Sequence, residues 1–469
     1  MSGPSALGQV DPPRSTVADL LASRRTRIGV AVALVVLALG IRVWQVERTA
    51  PYHPMNDAKS YFALARAITR TGDYPISHAS GAGAGGTIGP TTYFAPGYPY
   101  FLAAVDLIDG DTTTGGQAVA AARLGGAALG AVSVAFIGLV AFEAFGEVVA
   151  LVAMLIAALY PPLIELSATP YSENLLIVLT LAAAWTALRA RRAERPLPWI
   201  AVAGVLTGLA ALTHQNGVVI LLPLIFCALA VGHRWAGQGE RRRSRALVTP
   251  VLLVAATALT IAPWTIRNAV VLHRFIPVSD ETGITLAGTY NPTSAADRQI
   301  PYRWLWYGMV PAYAPIARAS PHLTEPGLSN RLTTAAFHYI GDHPLAPLQV
   351  AYHNLRRLLE LEGRTAWRDS TASIGLSAGT ARIGVVGFWV VALLAAAGLL
   401  TRRARRAPAW LWAIPILLAV SALLVNSETP RFRSPIDPYL ILLAACALVS
   451  LGERLAAYAG RQRLARAPT

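Results

Sequence analysis

Asp57, Glu173, Arg267, Arg431 and Arg433 are the residues best suited to chemistry in a chain that is otherwise mostly apolar. Asp57 lies in MNDAKSYFALARAITRTGDYP (55–75), just beyond the first apolar run. A carboxylate there can take a proton from a hydroxyl at a membrane surface. The forked guanidinium of arginine matches phosphate, so arginines at headgroup depth suit a charged lipid headgroup. Glu173 opens a later apolar run within SATPYSENLL (167–176). Lys59 is the single lysine and could pair with a phosphate or an acid. Tyr98 in YFAPGYPYFLA (93–103) could stack on a ligand or donate to it, and His214 sits in LTHQNG (212–217). Each residue also has a structural reading. Asn56 could cap a helix and Asp57 favour its dipole, with Tyr61, Leu64, Ala65 and Ile68 at helical spacing. Thr169 could cap the next helix with Pro170 at its first position and Glu173 in its first turn. Tyr98 could mark a hinge, His214 a turn, and the arginines snorkelling anchors.

The composition says which elements carry these groups. Apolar residues make up 54% of the 469 and charged residues 14%, against roughly 45–50% and about 25% in soluble domains. Apolar runs long enough to cross a bilayer are expected near 27–46, 118–141, 147–167, 172–190, 198–213, 216–232, 246–264, 383–401, 408–425 and 435–452. This is an all-α polytopic membrane protein. Its charge of +15 does not indicate nucleic acid, because the arginines cluster at span ends: 24/25/27, 189/191/192/195, 234/241/242/243/245, 402/403/405/406 and 454/461/463. All five clusters fall on the cytoplasmic side if the run 97–108 does not cross. That run is only about 12 residues long, which suits a re-entrant or interfacial segment. The first apolar run lacks a small-residue cleavage site and reads as an uncleaved anchor. Cys227 and Cys446 fall inside spans and give no disulfide framework.

The expected organisation is a disordered cytoplasmic tail (1–26), a transmembrane module (27–266) whose first outer loop is 47–117, an extracytoplasmic loop domain (267–382), C-terminal spans (383–452) and a cytoplasmic tail (453–469). The Gly-rich SGAGAGGTIGP (80–90) reads as mobile, and 455–469 as unstructured. In this assignment no charge sits mid-span. Arg123, Glu165, Glu173, Arg267, Arg382, Glu428, Arg431, Arg433 and Asp437 gather at the outer mouths, where the positive-inside bias should deplete arginine. The segment YRWLWYGMVPAYAP (302–315) could stack on sugars, although an interfacial belt or a subdomain core is the favoured reading.

The ordered set Asp57-x-x-x-Tyr61, APGYP (95–99), YPPLIELSATPYSENL (160–175), GLAALTHQNG (208–217), PWTIRN (263–268), LAGTYN (286–291) and PRFRSPIDPYLILLAA (430–445) resembles the bacterial GT-C glycosyltransferases. More narrowly, it resembles the family 39 group of protein O-mannosyltransferases and the lipid A aminoarabinose transferase. The resemblance spans about 27–452. It implies a GT-C fold with about 10–12 transmembrane helices plus a small extracytoplasmic α-rich or mixed loop domain. It also implies an inner- or plasma-membrane enzyme, a hexosyl- or pentosyltransferase, passing sugar with inversion from a polyprenyl-phosphate donor to an extracytoplasmic glycan, lipid or protein. Asp57 matches the family's catalytic base and Glu173 the acid opening a later span. Arg267, Arg431 and Arg433 would bind the donor phosphate; Lys59, Tyr61, Tyr98, His214 and Tyr290 would contact substrate. Family members commonly have two adjacent acids in the first loop. Here Asn56 precedes Asp57, no cofactor is certain, and a divalent metal is an open option without support, since no cluster for one stands out. Membrane lipids, not nucleic acid, are the expected surroundings. The alternatives are a lipid or glycolipid transporter and a non-catalytic envelope-assembly scaffold.

Overall fold

The computed structural model describes residues 23–75, 86–109, 115–237 and 242–465. Of the tail expected to be disordered (1–26), residues 1–22 lie outside the described residues while 24–26 are helical, and of the Gly-rich 80–90 expected to be mobile, 80–85 lie outside them. The chain order begins with α1 (Arg24–Arg48), α2 (Asn56–Thr71), α3 (Gly97–Asp109), α4 (Gly115–Phe145), α5 (Glu147–Leu159) and α6 (Pro161–Ser167). It continues with α7 (Glu173–Ala190), α8 (Leu197–Thr213), α9 (Leu221–Trp235) and α10 (Arg242–Leu272). The large loop holds α11 (Thr282–Thr289), α12 (Pro292–Ala296), α13 (Ala314–Ala319), α14 (Glu325–Asp342), α15 (Ala346–Leu358) and α16 (Arg364–Ser373). α17 (Ala378–Leu399), α18 (Arg402–Arg406), α19 (Ala409–Leu423) and α20 (Asp437–Ala465) complete it. No strand occurs among the described residues; a lone bridge joins Ile88 to Thr324.

Each of the ten expected spans coincides with helix. Among the described residues, seven helices are long and apolar enough to cross a membrane, and α5 with α6 would make an eighth. α8 and α19 are shorter; the 17 residues of α8 rise about 25 Å. α3 is shorter still, with 13 residues.

Two expectations fail between α1 and α6. The segment 147–167 is not one straight span: α5 and α6 meet at a 59° bend, because Pro161 has no N–H to continue the ladder. The carbonyls released at the break need donors that lipid cannot supply. Arg42 supplies them, donating from Nη2 to the Ala157 carbonyl at 3.2 Å and from Nη1 to that of Ala158 at 3.5 Å. Thus a charge does lie within 27–46, wholly buried. Gly130 makes room for it, since a Cβ there would sit 2.5 Å from Arg42 Nε.

Basic clusters share one end of the bundle. Arg27 pairs with Glu147 at 2.7 Å, and Arg189 and Arg192 both reach Glu143 at 3.0 Å. Arg234 donates to the Ala190 carbonyl. Trp412, whose indole donates to the Ala404 carbonyl beside Arg403, stacks on Phe145. α20 continues to Ala465, so the expected unstructured tail from 455 is helical in its described part. Its Ala, Leu, Arg and Gln are strong helix formers.

At the opposite end the two outer loops share one core. Tyr61, Leu64 and Ile68 of α2 pack in a cluster with Ile284, Leu328, Leu332 and Val350 of the large loop. The first loop is also tied down by polar contacts. Glu325 accepts from Thr91 Oγ1 at 2.6 Å and from the Thr92 amide at 2.7 Å. The Asp280 amide donates to the Thr92 carbonyl.

Candidate active site

α2 begins without a side-chain cap. Asn56 takes a left-handed φ of 47°, and its amide donates to the Ser373 carbonyl at 2.8 Å. It therefore anchors the helix start to α16 rather than capping it. Asp57 follows in the first turn with its carboxylate 27% exposed. α7 likewise starts at Glu173 after an uncapped Ser172. Thr169 instead donates to the Leu166 carbonyl at the end of α6, so Thr169 and Pro170 precede the helix rather than open it.

Arg431, from the turn before α20, joins these two acids. Its Nη2 lies 2.6 Å from Asp57 Oδ2 and its Nε 2.5 Å from Glu173 Oε1. Glu173 is 1% exposed. The guanidinium lies over the rings of Tyr171 and Phe432, 4.7 and 4.8 Å from their centroids. Burial opposes its charge, but Glu173 and Asp57 outweigh burial and hold it above the ordinary arginine range. His214 Nε2 stands 3.9 Å from Glu173, and its Nδ1 accepts from the Asn216 amide. Burial draws the imidazole below its usual value against the pull of Glu173. Tyr61 donates to Ser172 Oγ at 3.1 Å, which in turn reaches Glu173.

Asp57, His214 and Arg431 face a cavity of about 260 Å³. Besides Asp57, Arg431 and His214, its walls include Glu281, Glu428, Tyr93, Trp304 and Trp306. Glu281 accepts from Gln215 Nε2 at 3.4 Å. Burial, then the negative field of Asp57, push its carboxyl up to about 8. Burial also raises Glu428, against the attraction of Arg431. The arrangement is a salt-bridged carboxylate poised beside two carboxyls that hold protons more tightly than usual, walled by aromatic rings.

Of the residues singled out from sequence, Asp57, Glu173, Arg431, His214 and Tyr61 come together here. The others lie elsewhere. Lys59 is exposed outside the cavity wall. Tyr98 is fully buried, edge-on to Tyr61. Tyr290 is buried and donates to the Leu424 carbonyl at 2.7 Å. Arg433 is enclosed between Glu360 at 2.7 Å and Asp437 at 3.2 Å. Arg267 lines a separate groove of about 810 Å³ with Tyr74, Tyr100, Leu209, Leu212, Trp264 and Val271. It lies over the Trp264 ring and donates to the Thr91 carbonyl. Glu281 escaped the sequence reading because the acid pair Asp280–Glu281 in VSDETG looks like any polar turn. Trp304 and Trp306 were visible, but their aromatic run was assigned to a belt or core.

The fold and this site define a class of protein, a polytopic membrane protein with the fold of the GT-C glycosyltransferases. Residues 94–266 match the family model described as dolichyl-phosphate-mannose-protein mannosyltransferase; the match includes Glu173 and His214, while Asp57 and Arg431 fall outside it. Among solved structures, the chain is similar to the Archaeoglobus fulgidus oligosaccharyltransferase tethered with an acceptor peptide containing the NVT sequon. The TM-score is 0.55 at 15% identity, over 93% of this chain and 51% of that one. The oligosaccharyltransferase AglB of the same organism, in complex with an inhibitory peptide and a dolichol-phosphate, aligns with TM-score 0.52 at 15% identity, over 94% and 52%. The chain thus spans about half the length of these proteins, and at this identity the likeness concerns the fold alone. No curated protein sequence matches the chain.

Proposed function

We propose that the protein is an integral membrane glycosyltransferase that moves a sugar from a polyprenyl-phosphate donor to an extracytoplasmic acceptor with inversion. The observation that carries this reading is the meeting of Asp57 and Glu173 on Arg431 at the wall of one cavity, at the end of a GT-C bundle opposite its basic clusters. In this mechanism Asp57 accepts the proton of the acceptor hydroxyl as that oxygen attacks the anomeric carbon. The bond to the phosphate oxygen breaks on the opposite face, and its electron pair leaves with the polyprenyl phosphate. A well-placed base of this kind contributes about 10²–10⁴-fold.

Arg431 has five N–H donors, and its ion pairs engage Nε and Nη2. It orients Asp57 and offers the remaining donors to the developing phosphate charge. Glu173 acts through Arg431, fixing its position. Arg267 suits the donor from the other side: a cation at the mouth of an apolar groove fits a phosphate with an isoprenoid tail. The segment 90–97 borders both spaces, with Tyr93 on the cavity and Pro90, Pro96 and Gly97 on the groove. Enclosed by Glu360 and Asp437, Arg433 serves as an anchor for α20. Among the described residues no group of three His, Cys, Asp or Glu side chains is arranged to hold a metal, and no step here is routed through one.

Incubating the purified protein with labelled polyprenyl-phosphate sugar tests the reading. Release of polyprenyl phosphate with an inverted product is expected. Translocation of an intact donor would point instead to a transporter, and no cleavage at all to a scaffold.

A further inference from the structure

We infer that the acceptor is a carbohydrate ring that docks on the indoles of Trp304 and Trp306, so that these side chains favour a glycan or glycolipid over a polypeptide. This rests on the transferase reading above and adds the class of acceptor.

Both indoles are half-buried and line the cavity that holds Asp57. Their ring centroids lie 6.3 Å apart with planes inclined by 61°, forming an angled apolar wall. The wall is fixed in place. The Leu305 amide donates to the Gly288 carbonyl at 2.9 Å, and the Met309 amide to that of Trp306 at 2.8 Å. Trp304 packs so closely on α11 that a Cβ at Gly288 would lie 2.3 Å from its Nε1. Trp306 leans on Tyr307, with centroids 4.7 Å apart. Rigid aromatic surface of this kind binds at little entropic cost.

The rest of the cavity wall mixes apolar side chains such as Val425 and Phe432 with the polar groups of Asn56, Gln215, Asn426 and Glu428. An angled aromatic wall with amides and carboxyls in the same cavity suits a sugar ring, whose C–H face is apolar and whose edge carries hydroxyls. An extended peptide would need partners for its backbone N–H and C=O groups, which a wall of two indoles does not supply. The wall belongs to the large loop and stands in the cavity, whereas the lipid-type groove lies across the segment 90–97. The stacked ring is therefore assigned to the acceptor and not to the carrier-bound sugar.

The test uses the purified full chain, a labelled polyprenyl-phosphate sugar, and either methyl hexosides or a Ser/Thr-containing hexapeptide as acceptor. Hexosides should speed carrier release above hydrolysis by water. W304A and W306A should raise the hexoside KM about tenfold, equivalent to 1.4 kcal/mol. The effect should fall on KM more than on kcat, and W304F should recover most of the KM. Acceleration by the peptide alone, or an unchanged hexoside KM in both alanine variants, would overturn the inference. A wild type that cleaves no donor would fail the transferase reading itself. Saturation-transfer NMR of methyl hexosides then still judges the wall: a signal lost in W304A supports it, and one unchanged in both variants overturns it.

Discussion

Arg431 neutralises two acids that are far apart in sequence, and much of the site's behaviour follows from that pairing. Removing one partner of a buried ion pair leaves an uncompensated charge and typically costs about 3–5 kcal/mol. Arg431→Gln is therefore expected to lower the melting temperature in detergent and to abolish turnover. Arg431→Lys should recover part of the stability but little activity, because an ammonium cannot span Asp57 and Glu173 as a fork does. A thermal shift assay beside a turnover assay checks both outcomes. Glu281 gives a pH signature. Its folded-state value of about 8 lies above the unfolded carboxyl value of roughly 4.3. Its contribution to stability is thus fully present below that unfolded value and is lost as pH rises through about 8. Glu428 shifts in the same direction, so the comparison that isolates Glu281 is wild type against Glu281→Gln. The variant should show a flatter melting temperature between pH 5 and 9.

At the scale of elements, sequence periodicity was enough to place α2 and its buried face. Tyr61, Leu64, Ala65 and Ile68 are all buried as their spacing requires, and Gly72 ends the helix in the left-handed region with φ 75°. What the sequence did not show was which distant partner each element would meet. Nothing local to Pro161 reveals that Arg42, over a hundred residues earlier, supplies donors to the broken helix. Nothing local to Asn56 reveals that Ser373 accepts its amide and leaves the cap unfilled. The convergence of positions 57, 173 and 431 is of the same kind, each legible as chemistry but joined only by packing. Close packing also makes Gly97 a sensitive point. A Cβ there would lie 2.8 Å from the Leu212 carbonyl oxygen and 2.9 Å from Thr213 Oγ1. Gly97→Ala should push α3 from α8 at a cost of about 1–3 kcal/mol, read as a lower melting temperature. Glu325→Gln should loosen the ties to Thr91 and Thr92 and increase proteolysis of the first outer loop, with the bundle itself intact.

For the whole molecule, orientation follows from charge. Arginine clusters gather at one end and the cavity at the other, so the proposed function, read with the positive-inside rule, expects the cavity outside the cytoplasm. Cys227 and Cys446 are both buried, so an introduced cysteine at exposed Lys59 would stand out in labelling. Reaction of intact cells or spheroplasts with a membrane-impermeant maleimide is expected at position 59 and not at a cysteine replacing Arg406. The expected spans were read from the length that bilayer thickness imposes, and among the described residues seven helices reach it, or eight counting α5 with α6. The shared core of the two outer loops was not legible, since it joins residues such as Leu64 and Leu332 through packing alone.

The most direct measurement compares wild type with Asp57→Asn, purified under identical conditions, for release of polyprenyl phosphate from a labelled donor. The part-exposed Asp57 side chain allows the variant to fold, and its retained helical content and monodispersity would verify that it has. Turnover lower by about 10²-fold or more in the folded variant is the expected result. Turnover close to wild type in Asp57→Asn would contradict the account, leaving the Asp57–Arg431 pair as architecture without a catalytic base.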